Sequence, residues 1–475
     1  MKNLQLPGNP RYQPKSLVDI FGYDNLYRKA IEVEFATMQT LYEGGLIPAN
    51  DFSKLTPELK NQIMEEITTT MVDKVEREVT KHDIRALVHL IQSKLPAELR
   101  RFVHIPLTSY DVLDTARILQ FKDAYRLSLR PALDNVMISL AEIALAKKDQ
   151  IQVGRTHGQH ALPITVGFWL ATILNRLFEN SERLRKAELK LCGKISGAVG
   201  AHNAQIGFML DPFENQVLEK LGLAPAKIST QILPPENLTD FLYACSLVSA
   251  TLGQFGRDCR HLMRSEIGEV SESFDSTQVG SSTMAHKRNP INFENLEGMW
   301  LRNKAELGKV METLISEHQR DLVGSSIMRD FPIIVINLQQ QLDTLNRKKD
   351  DKSFLEGLSF DEDNLARNFK MNSGYILAEP IYLALQLYGY AGDAHELVNR
   401  KLLPRAKKNN VSLWEQLKRE AQADPALLEI LHSIPREICL VLSDAKEYMG
   451  LAEEKTTLIC YDVLDSIKQG GLTIG

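Results

Sequence analysis

The spacing of the proline residues is the feature that most constrains how this chain can fold. No proline occurs between Pro163 and Pro212, between Pro235 and Pro290, or between Pro290 and Pro332. Proline lacks the backbone N–H that a helix interior requires and clashes with the preceding turn, so proline-free stretches of this length permit long helices. We therefore expect long helices in the middle of the chain.

Apolar residues in the same region repeat at helical spacing. One series alternates steps of four and three residues and another repeats every seven, which places an apolar stripe on one helix face. The two series are Leu129, Leu133, Val136, Leu140 and Ile143, and Leu170, Leu177, Leu184 and Leu191. No comparable alternation predicts a strand there, so we predict an all-α fold. Long bundle helices often bury such faces against other subunits, which favours an oligomer over a purely intramolecular core.

The length of the chain indicates several domains. A chain of 475 residues is too long for one compact core, since a domain commonly holds roughly 150 residues. We predict an N-terminal helical domain over 1–111, a central long-helix bundle over 112–361 and a C-terminal helical domain over 362–475.

The composition excludes several classes of partner. Hydrophobic residues make up 44% of the chain, charged residues make up 25%, and the formal net charge is −5. Nothing in this balance favours nucleic acid or an anionic membrane, so any anion site must be built locally. The cysteines form no CxxC pair and the histidines no metal-spaced cluster, so we expect no disulfide framework and no metal. Without a signal-peptide core or a membrane-length apolar run, we expect a cytoplasmic protein.

The segment GSSTMAHKRNP at residues 280–290 is the most unusual part of the sequence. Small residues and hydroxyls precede Lys287 and Asn289, which suits a loop that closes over a substrate and excludes water. The same residues also suit an ordinary polar surface loop.

Two further segments carry groups that can take part in catalysis. GRTHGQHALPITVG at 154–167 contains His157, whose ordinary pKa suits a general acid, although a lone histidine is more often a hydrogen-bonded core residue. In VHIPLTSYDVLDTA at 103–116, Thr108 and Asp111 have the spacing of a helix capping box. The start of a helix presents free N–H groups, so this point can be either a simple cap or a carboxylate site.

Together these segments resemble the motifs of the adenylosuccinate lyases, within the fumarase/aspartase superfamily. Residues 280–290 resemble the signature GSSxMPxKxNP, with Ala285 where proline is usual, and the other two segments resemble the RTHG and TSxD blocks. Asn9-Pro-Arg11-Tyr12, Lys81-His82-Asp83, Ser229-Thr-Gln231 and Gln319-Arg320-Asp321 with Ser325 and Arg329 resemble further blocks of this family. Residues 193–205 resemble its glycine-rich helix segment, whose glycines we interpret mainly as close-packing points.

The resemblance implies a role for each matching residue. Ser281 matches the base and His157 the general acid, whereas His160 has no such match and is expected to be structural. The phosphate of a nucleotide would be bound by Arg11, Tyr12, Ser325 and Arg329. The remaining substrate contacts implied are Lys81, His82, Asp83, Thr108, Ser109, Thr156, Gln231, Ser282, Met284, Lys287, Asn289 and Arg320.

The resemblance also implies the reaction and the assembly. It implies β-elimination of fumarate from a succinyl-amino purine nucleotide, without a metal or cofactor. The implied fold is a three-domain lyase fold whose central bundle forms the helical core of a homotetramer with shared active sites. The sequence leaves two alternatives open. One is another superfamily lyase, acting on argininosuccinate, fumarate or aspartate. The other is a non-catalytic protein on the lyase scaffold.

Overall fold

The computed structural model describes Leu6 and residues 13–208, 210, 212–273, 284, 286–349 and 351–471. Within these residues the chain is mostly helical, as the sequence predicts. The first helices are α1 Lys15–Phe21, α2 Asn25–Glu43, α3 Ala49–Phe52, α4 Pro57–Glu66, α5 Thr69–Val75, α6 Asp83–Lys94, α7 Ser109–Ala124, α8 Arg130–Ala146, α9 Val166–Leu189, α10 Asn203–Gly207, α11 Phe213–Lys220 and α12 Glu236–Leu262. They are followed by α13 Ile291–Glu312, α14 Val323–Ile327, α15 Pro332–Asn346, α16 Glu362–Asn372, α17 Ala378–Leu387, α18 Ala394–Glu396, α19 Leu403–Asn409, α20 Leu413–Ala421, α21 Pro425–Ser433, α22 Arg436–Ser443 and α23 Ala452–Gly471.

Short antiparallel strand pairs complete the described structure. β1 pairs with β2, β3 with β6, and β4 with β5. Their bounds are β1 Ile151–Thr156, β2 Gln159–Thr165, β3 Val270–Ser271, β4 Lys348–Lys349, β5 Lys352–Ser353 and β6 Ser359–Phe360. Short 3₁₀ helices lie at Arg100–Phe102, Met328–Asp330 and Ala445–Glu447. Short π-helical segments lie at Glu76–Thr80, Tyr125–Leu129 and Leu397–Leu402.

The proline-free stretches contain the three longest helices of the described residues. Helices α9, α12 and α13 hold 24, 27 and 22 residues, one in each stretch. The four leucines that repeat every seven residues, from Leu170 to Leu191, are fully buried. In the series from Leu129 to Ile143, only Ile143 is more than marginally exposed. None of the helices within the described residues combines the length and apolar character needed to cross a membrane.

Two parts of the central region differ from the prediction. Residues 151–165 form the β1–β2 hairpin, although no strand was expected there. Residues 193–202 are not helical, so interpreting 193–205 as a helix was wrong for most of its length. Two of its three glycines pack closely. A Cβ on Gly193 would lie 2.5 Å from the Leu218 side chain, and one on Gly200, whose φ is +74°, would lie 2.1 Å from the carbonyl oxygen of Ser229, whereas nothing lies within 4 Å of a Cβ on Gly197. Close backbone approach therefore outweighs helix propensity in this segment.

The first compact unit comprises Met1–Asp134, Glu179–Gln254 and Asn295–Asn346. At its centre α7 packs against α2, and α11 packs on the same helix α2. Aromatic side chains extend this core, with the ring centroids of Phe21 and Phe121 5.2 Å apart and those of Phe121 and Phe241 6.0 Å apart. Most residues of α7 are buried, which makes it a rigid support for side chains at its N-terminus.

The second compact unit comprises Asn135–Phe178, Phe255–Glu294 and Arg347–Gly475. Its C-terminal helices enclose an apolar cluster that includes Ile381, Leu385, Leu413 and Leu417, and Val153 of β1 belongs to the same cluster. Both units combine segments that are distant in sequence. The division into three domains in sequence order, at 111/112 and 361/362, stays a prediction.

Candidate active site

The N-terminus of α7 carries the predicted TSxD block. Thr108 is the N-cap, and its backbone N–H donates to Asp111 Oδ2 at 2.9 Å, so the predicted helix start is confirmed. Ser109 is the first helical residue and is only partly buried. Backbone donors at the first turn of a helix lack intrahelical partners and attract anions, so Thr108 and Ser109 occupy a suitable position for a substrate carboxylate.

Asp111 is also the centre of a fully buried polar network. Lys194 Nζ donates to Asp111 Oδ1, and both side chains have no solvent exposure. The backbone N–H of Gly197 donates to the same oxygen at 3.1 Å. Beyond this point, the hydroxyls of Ser196 and Ser229 are 2.6 Å apart. One buried carboxylate thus fixes the start of α7 and the glycine-rich segment, and through that segment the block containing Gln231.

The predicted Lys81-His82-Asp83 block lies beside the start of α7. His82 is the N-cap of α6, and its Nε2 lies 3.4 Å from Ser109 Oγ, while its Nδ1 lies 3.2 Å from Asp83 Oδ1. Lys81 has a left-handed backbone conformation with φ 54°. The side chain of His82 is 47% exposed, so a ligand can reach it.

The Gln319-Arg320-Asp321 block contacts two other predicted segments. Arg320 Nη1 donates to Gln231 Oε1 at 2.9 Å. Its guanidinium carbon lies 3.5 Å from the ring centroid of Tyr110, within the TSxD block. Three segments that are more than 80 residues apart in sequence therefore meet at one guanidinium.

The loop before Ser325 and Arg329 is held by Asp321. The Asp321 carboxylate accepts from the backbone N–H groups of Glu317 at 2.8 Å and Val323 at 2.6 Å, and from the Ser316 hydroxyl at 2.9 Å. These hydrogen bonds, the backbone bond from Glu317 first, hold the pKa of Asp321 below its ordinary value. Ser325 lies on α14, and Arg329 lies in the turn that follows.

A single cavity of about 840 Å³ in the first unit brings these blocks together. Its volume falls within the range of roughly 300–1,000 Å³ that is usual for small-molecule sites. Seven of the predicted substrate-binding residues line it: Lys81, His82, Asp83, Ser109, Arg320, Ser325 and Arg329. Gln231 is hydrogen-bonded to one of the seven, and Thr108 precedes another.

The charges on the cavity wall are unevenly distributed. Arg117 and Arg320 both lie near the ring of Tyr110, with guanidinium carbons 6.0 and 3.5 Å from its centroid. Asp73, Glu76 and Asp83 lie near Tyr27, and burial together with these carboxylates raises the pKa of the Tyr27 hydroxyl. An anionic group of a ligand is favoured on the arginine side of the wall.

His157 lies in the second unit, at the tip of the β1–β2 hairpin. Thr156 pairs with Gln159, and the two residues between them have positive φ, 54° at His157 and 76° at Gly158. Positive φ at both central residues is what a type I′ hairpin turn requires, and glycine adopts it readily. The turn leaves Thr156 and His157 exposed, so the imidazole is not a buried core group.

A buried carboxylate anchors this hairpin. Glu269 has no solvent exposure and accepts two hydrogen bonds from Arg155, at 2.6 and 3.0 Å. It also accepts from Gln152 and from Asn368, both at 2.9 Å. The side chain of His160 on β2 lies 3.0 Å from the amide nitrogen of Asn372, in keeping with the expected structural role.

The signature segment is described only in part. Ser281, Ser282 and Ala285 lie outside the described residues, as do Arg11 and Tyr12. Met284 and Lys287 are exposed, Asn289 is half-buried, and the backbone N–H of Lys287 donates to Met284 O at 3.0 Å. The buried carboxylate of Glu272 accepts from the N–H groups of Asn292 at 2.9 Å and Phe293 at 3.1 Å. This carboxylate ties residue 272, eight positions before the segment begins, to the first turn of α13.

Comparisons with known proteins identify the family. The family model described as Lyase matches residues 16–303. The chain is 34% identical to the adenylosuccinate lyase of Pyrococcus horikoshii, over 89% of this chain and 92% of that protein. It is 31% identical to the enzyme of Archaeoglobus fulgidus, over 97% and 99% of the two chains, and 33% identical to that of Bacillus subtilis, over 84% and 89%. The chain belongs to the adenylosuccinate lyase family. As a member of this family it is a carbon–nitrogen lyase.

Solved structures confirm the lyase fold. The 3-carboxy-cis,cis-muconate lactonizing enzyme of Pseudomonas putida matches 96% of this chain and 98% of its own, with a TM-score of 0.79 and 25% identity. A fumarate lyase from Mesorhizobium sp. BNC1 matches 96% and 99%, with a TM-score of 0.77 and 21% identity, which shows the fold alone. The predicted all-α lyase fold is confirmed at this level.

The sequence did not predict a role for several residues that the structure places at the cavity or at the hairpin. Tyr110 occupies the variable position of the TSxD block, and Arg117 follows on α7, yet both line the cavity. The cation–π contact of Tyr110 joins residues 210 positions apart, so no local pattern indicates it. Glu269 belongs to none of the motifs, and only its complete burial against Arg155 identifies it as the anchor of the hairpin.

Proposed function

We propose that this chain releases fumarate from adenylosuccinate, giving AMP, and from the succinyl-aminoimidazole carboxamide ribotide, giving the aminoimidazole carboxamide nucleotide. The observation that carries this proposal is the cavity lined by seven residues from three separate family motifs. It is supported by relatives named adenylosuccinate lyase that align over most of the chain. Lyases acting on argininosuccinate, fumarate or aspartate have no substrate phosphate and would not need an arginine-rich wall for one.

Binding is proposed to hold the two ends of the substrate separately. Arg329 and Ser325, with Arg11 and Tyr12, bind the nucleotide phosphate, since the planar guanidinium offers paired hydrogen bonds to phosphate oxygens. Thr108, Ser109, Lys287 and Asn289 bind the carboxylates of the succinyl group. Binding energy at the phosphate, remote from the bond that breaks, can orient the reacting end.

Other motif residues complete the proposed contacts. Lys81, His82 and Asp83 stand beside Ser109, and Gln231 and Arg320 form a hydrogen-bonded pair on the same wall. Thr156 adjoins the catalytic histidine, and Ser282 and Met284 belong to the closing segment. Each of these groups would touch the substrate and not the solvent once the segment closes.

The proposed chemistry is a β-elimination in which Ser281 is the base and His157 is the acid. Ser281 removes a proton from the carbon next to a carboxylate, and the electron pair is delocalised onto that carboxylate. The delocalised electron pair then forms the carbon–carbon double bond as the carbon–nitrogen bond breaks; the nitrogen keeps the bonding pair of the broken bond, and His157 protonates it. Fumarate and the purine nucleotide are the products.

A serine hydroxyl is a weak acid, so the proposed base requires electrostatic support. Lys287 and the backbone N–H groups of the closed segment are the candidates to stabilise the alkoxide. Donors at Thr108 and Ser109 would stabilise the charge that develops on the carboxylate. Removing one such preorganised donor costs about 100- to 1,000-fold in rate.

The active assembly is proposed to be a homotetramer in the cytoplasm, with sites shared between subunits. Large apolar side chains on the long helices remain exposed in the isolated chain, including Leu301 and Met311 on α13, at 54% and 53%, and Tyr243 on α12, at 51%. Exposed apolar groups of this kind on bundle helices suit burial against other subunits. His157, Ser281 and the cavity residues of one site would then come from different copies of the chain.

Fumarate release tests the proposed function directly. Purified protein is incubated with adenylosuccinate or argininosuccinate, and fumarate is measured by its ultraviolet absorbance and by chromatography. We expect release from adenylosuccinate only, and its near-complete loss in His157→Ala. Release from argininosuccinate instead, or no release from either substrate by folded protein, would refute the proposal.

A further inference from the structure

The guanidinium of Arg320 lies against the ring of Tyr110. The distance from Arg320 Cζ to the ring centroid is 3.5 Å, well within the roughly 6 Å over which a cation is attracted to an aromatic face. Tyr110 is 6% exposed and stands in the first turn of α7. Because α7 is largely buried, the ring is a rigid support on the cavity wall.

A second contact orients the guanidinium on this support. Arg320 Nη1 donates to Gln231 Oε1 at 2.9 Å. Among the described residues, none accepts a hydrogen bond from Arg320 Nε, although this atom is buried. Nε and Nη2 form the edge of a guanidinium that binds an oxyanion through two parallel hydrogen bonds. A buried donor without a partner is costly, and a bound oxyanion would supply the acceptor.

The other cation near this ring is already engaged. Arg117 Cζ lies 6.0 Å from the centroid of Tyr110, and Arg117 Nη1 lies 3.5 Å from Asp114 Oδ1. Asp114 is 5% exposed, so part of the charge of Arg117 is balanced inside the protein. Arg320 is therefore the cation that Tyr110 holds for a ligand.

We propose that Tyr110 is a positioning residue, whose ring holds the Arg320 guanidinium so that its Nε–Nη2 edge binds an oxyanion of the substrate. The inference deepens the proposed function and rests on it for the identity of the ligand. The oxyanion is either the nucleotide phosphate or a carboxylate of the succinyl group, which share this bidentate chemistry. AMP and fumarate, one carrying each group, are the two probes.

The test measures binding of AMP and of fumarate by calorimetry, using the full-length assembled protein. Tyr110→Leu removes the aromatic face, whereas Tyr110→Phe retains it and is the matched control. We expect Tyr110→Leu to weaken binding of one probe about tenfold, the size of a partly buried cation–π contact, and Tyr110→Phe to stay within about twofold of the wild type. The probe that loses affinity identifies the group that Arg320 binds.

A double-mutant cycle separates positioning from a general structural effect. If Tyr110 acts through Arg320, adding Tyr110→Leu to Arg320→Ala changes affinity by less than about twofold. Arg320→Lys keeps the charge but loses the Nε–Nη2 edge, so it should bind as weakly as Arg320→Ala. This variant also tests the proposal if Tyr110→Leu does not fold.

Several results would overturn the proposal. In the binding measurement, these are unchanged affinity of Tyr110→Leu for both probes, equal losses of affinity in Tyr110→Leu and Tyr110→Phe, or a wild-type protein that binds neither probe. In the double-mutant cycle, additive losses of affinity would overturn it. Wild-type affinity in Arg320→Lys would also overturn it. Failure of the proposed function looks different. In that case the wild type binds a probe and the variants behave as described, but no fumarate is released from adenylosuccinate.

Discussion

Two aspartates one turn apart on α7 show how the contacts of a buried carboxyl affect the energy of its ionised form. Asp111 meets Lys194 and two backbone N–H groups, and its charge is matched inside the core. Asp114 accepts from the backbone N–H of Leu233 at 2.9 Å and has Arg117 at the longer distance of 3.5 Å. Burial raises the pKa of Asp114, and the neighbouring Arg117 only partly opposes this effect.

The raised pKa of Asp114 predicts a pH-dependent effect of Asp114→Asn, which keeps an oxygen for the Leu233 N–H. Below its unfolded pKa of about 4, a carboxyl of this kind is protonated in both states and its ionisation does not affect the free energy of unfolding. As pH rises from there towards the raised pKa of the folded state, the unfolded state ionises first, so the folded state is progressively destabilised. We therefore expect the stability of Asp114→Asn, relative to the wild type, to increase as pH is raised from about 4 to 8. Denaturant unfolding across this range measures the difference, and a constant or decreasing difference would contradict the raised pKa.

Arg329 provides a prediction about substrate affinity. Loss of the proposed charged hydrogen-bond partner of phosphate in Arg329→Ala should raise the KM for adenylosuccinate about tenfold or more, with a smaller effect on kcat. Arg400→Ala is a suitable control, because the Arg400 side chain is 79% exposed and lies outside the cavity. Steady-state kinetics provides the measurement, and an unchanged KM in Arg329→Ala would refute the phosphate role.

At the scale of elements, the hairpin that carries His157 shows what the sequence leaves hidden. The strands lack clean alternation, since β1 and β2 change register between Val153 and Arg155. The stability of the hairpin comes instead from Glu269, more than 100 residues away, and from packing of Val153 in the C-terminal cluster. By contrast, the α7 cap and the long helices depend on neighbouring residues and proline positions, so the sequence predicted them.

Breaking the anchor of the hairpin should affect catalysis as well as stability. Glu269→Gln leaves the largely buried Arg155 without its carboxylate partner, which typically costs about 3–5 kcal/mol when a buried pair is broken. We expect a lower unfolding temperature and a fall in kcat that exceeds the change in KM, because the hairpin positions His157. Glu266→Gln, an exposed change three residues earlier, is the matched control. Wild-type kcat in Glu269→Gln would show that the anchor does not position His157, the proposed acid.

For the whole molecule, the motif blocks fall into two groups. Seven predicted residues share the cavity of the first unit, whereas His157, Lys287 and Asn289 belong to the second. The sequence could predict which residues belong to the family motifs, because each motif is local. It could not predict which of them meet, because that depends on contacts between distant segments, such as those of Arg320 with Gln231 and Tyr110.

The proposed site requires His157 and Ser281 from different subunits acting on one succinyl group, and mixing inactive variants tests this most directly. His157→Ala and Ser281→Ala are each assayed for fumarate release from adenylosuccinate, then dissociated, mixed in equal amounts and reassembled. Each variant alone should be nearly inactive. Random mixing should restore about one quarter of the sites, since each of the two positions is intact with probability of about one half. Substantial activity in either variant alone, or none in a correctly reassembled mixture, would contradict the shared site.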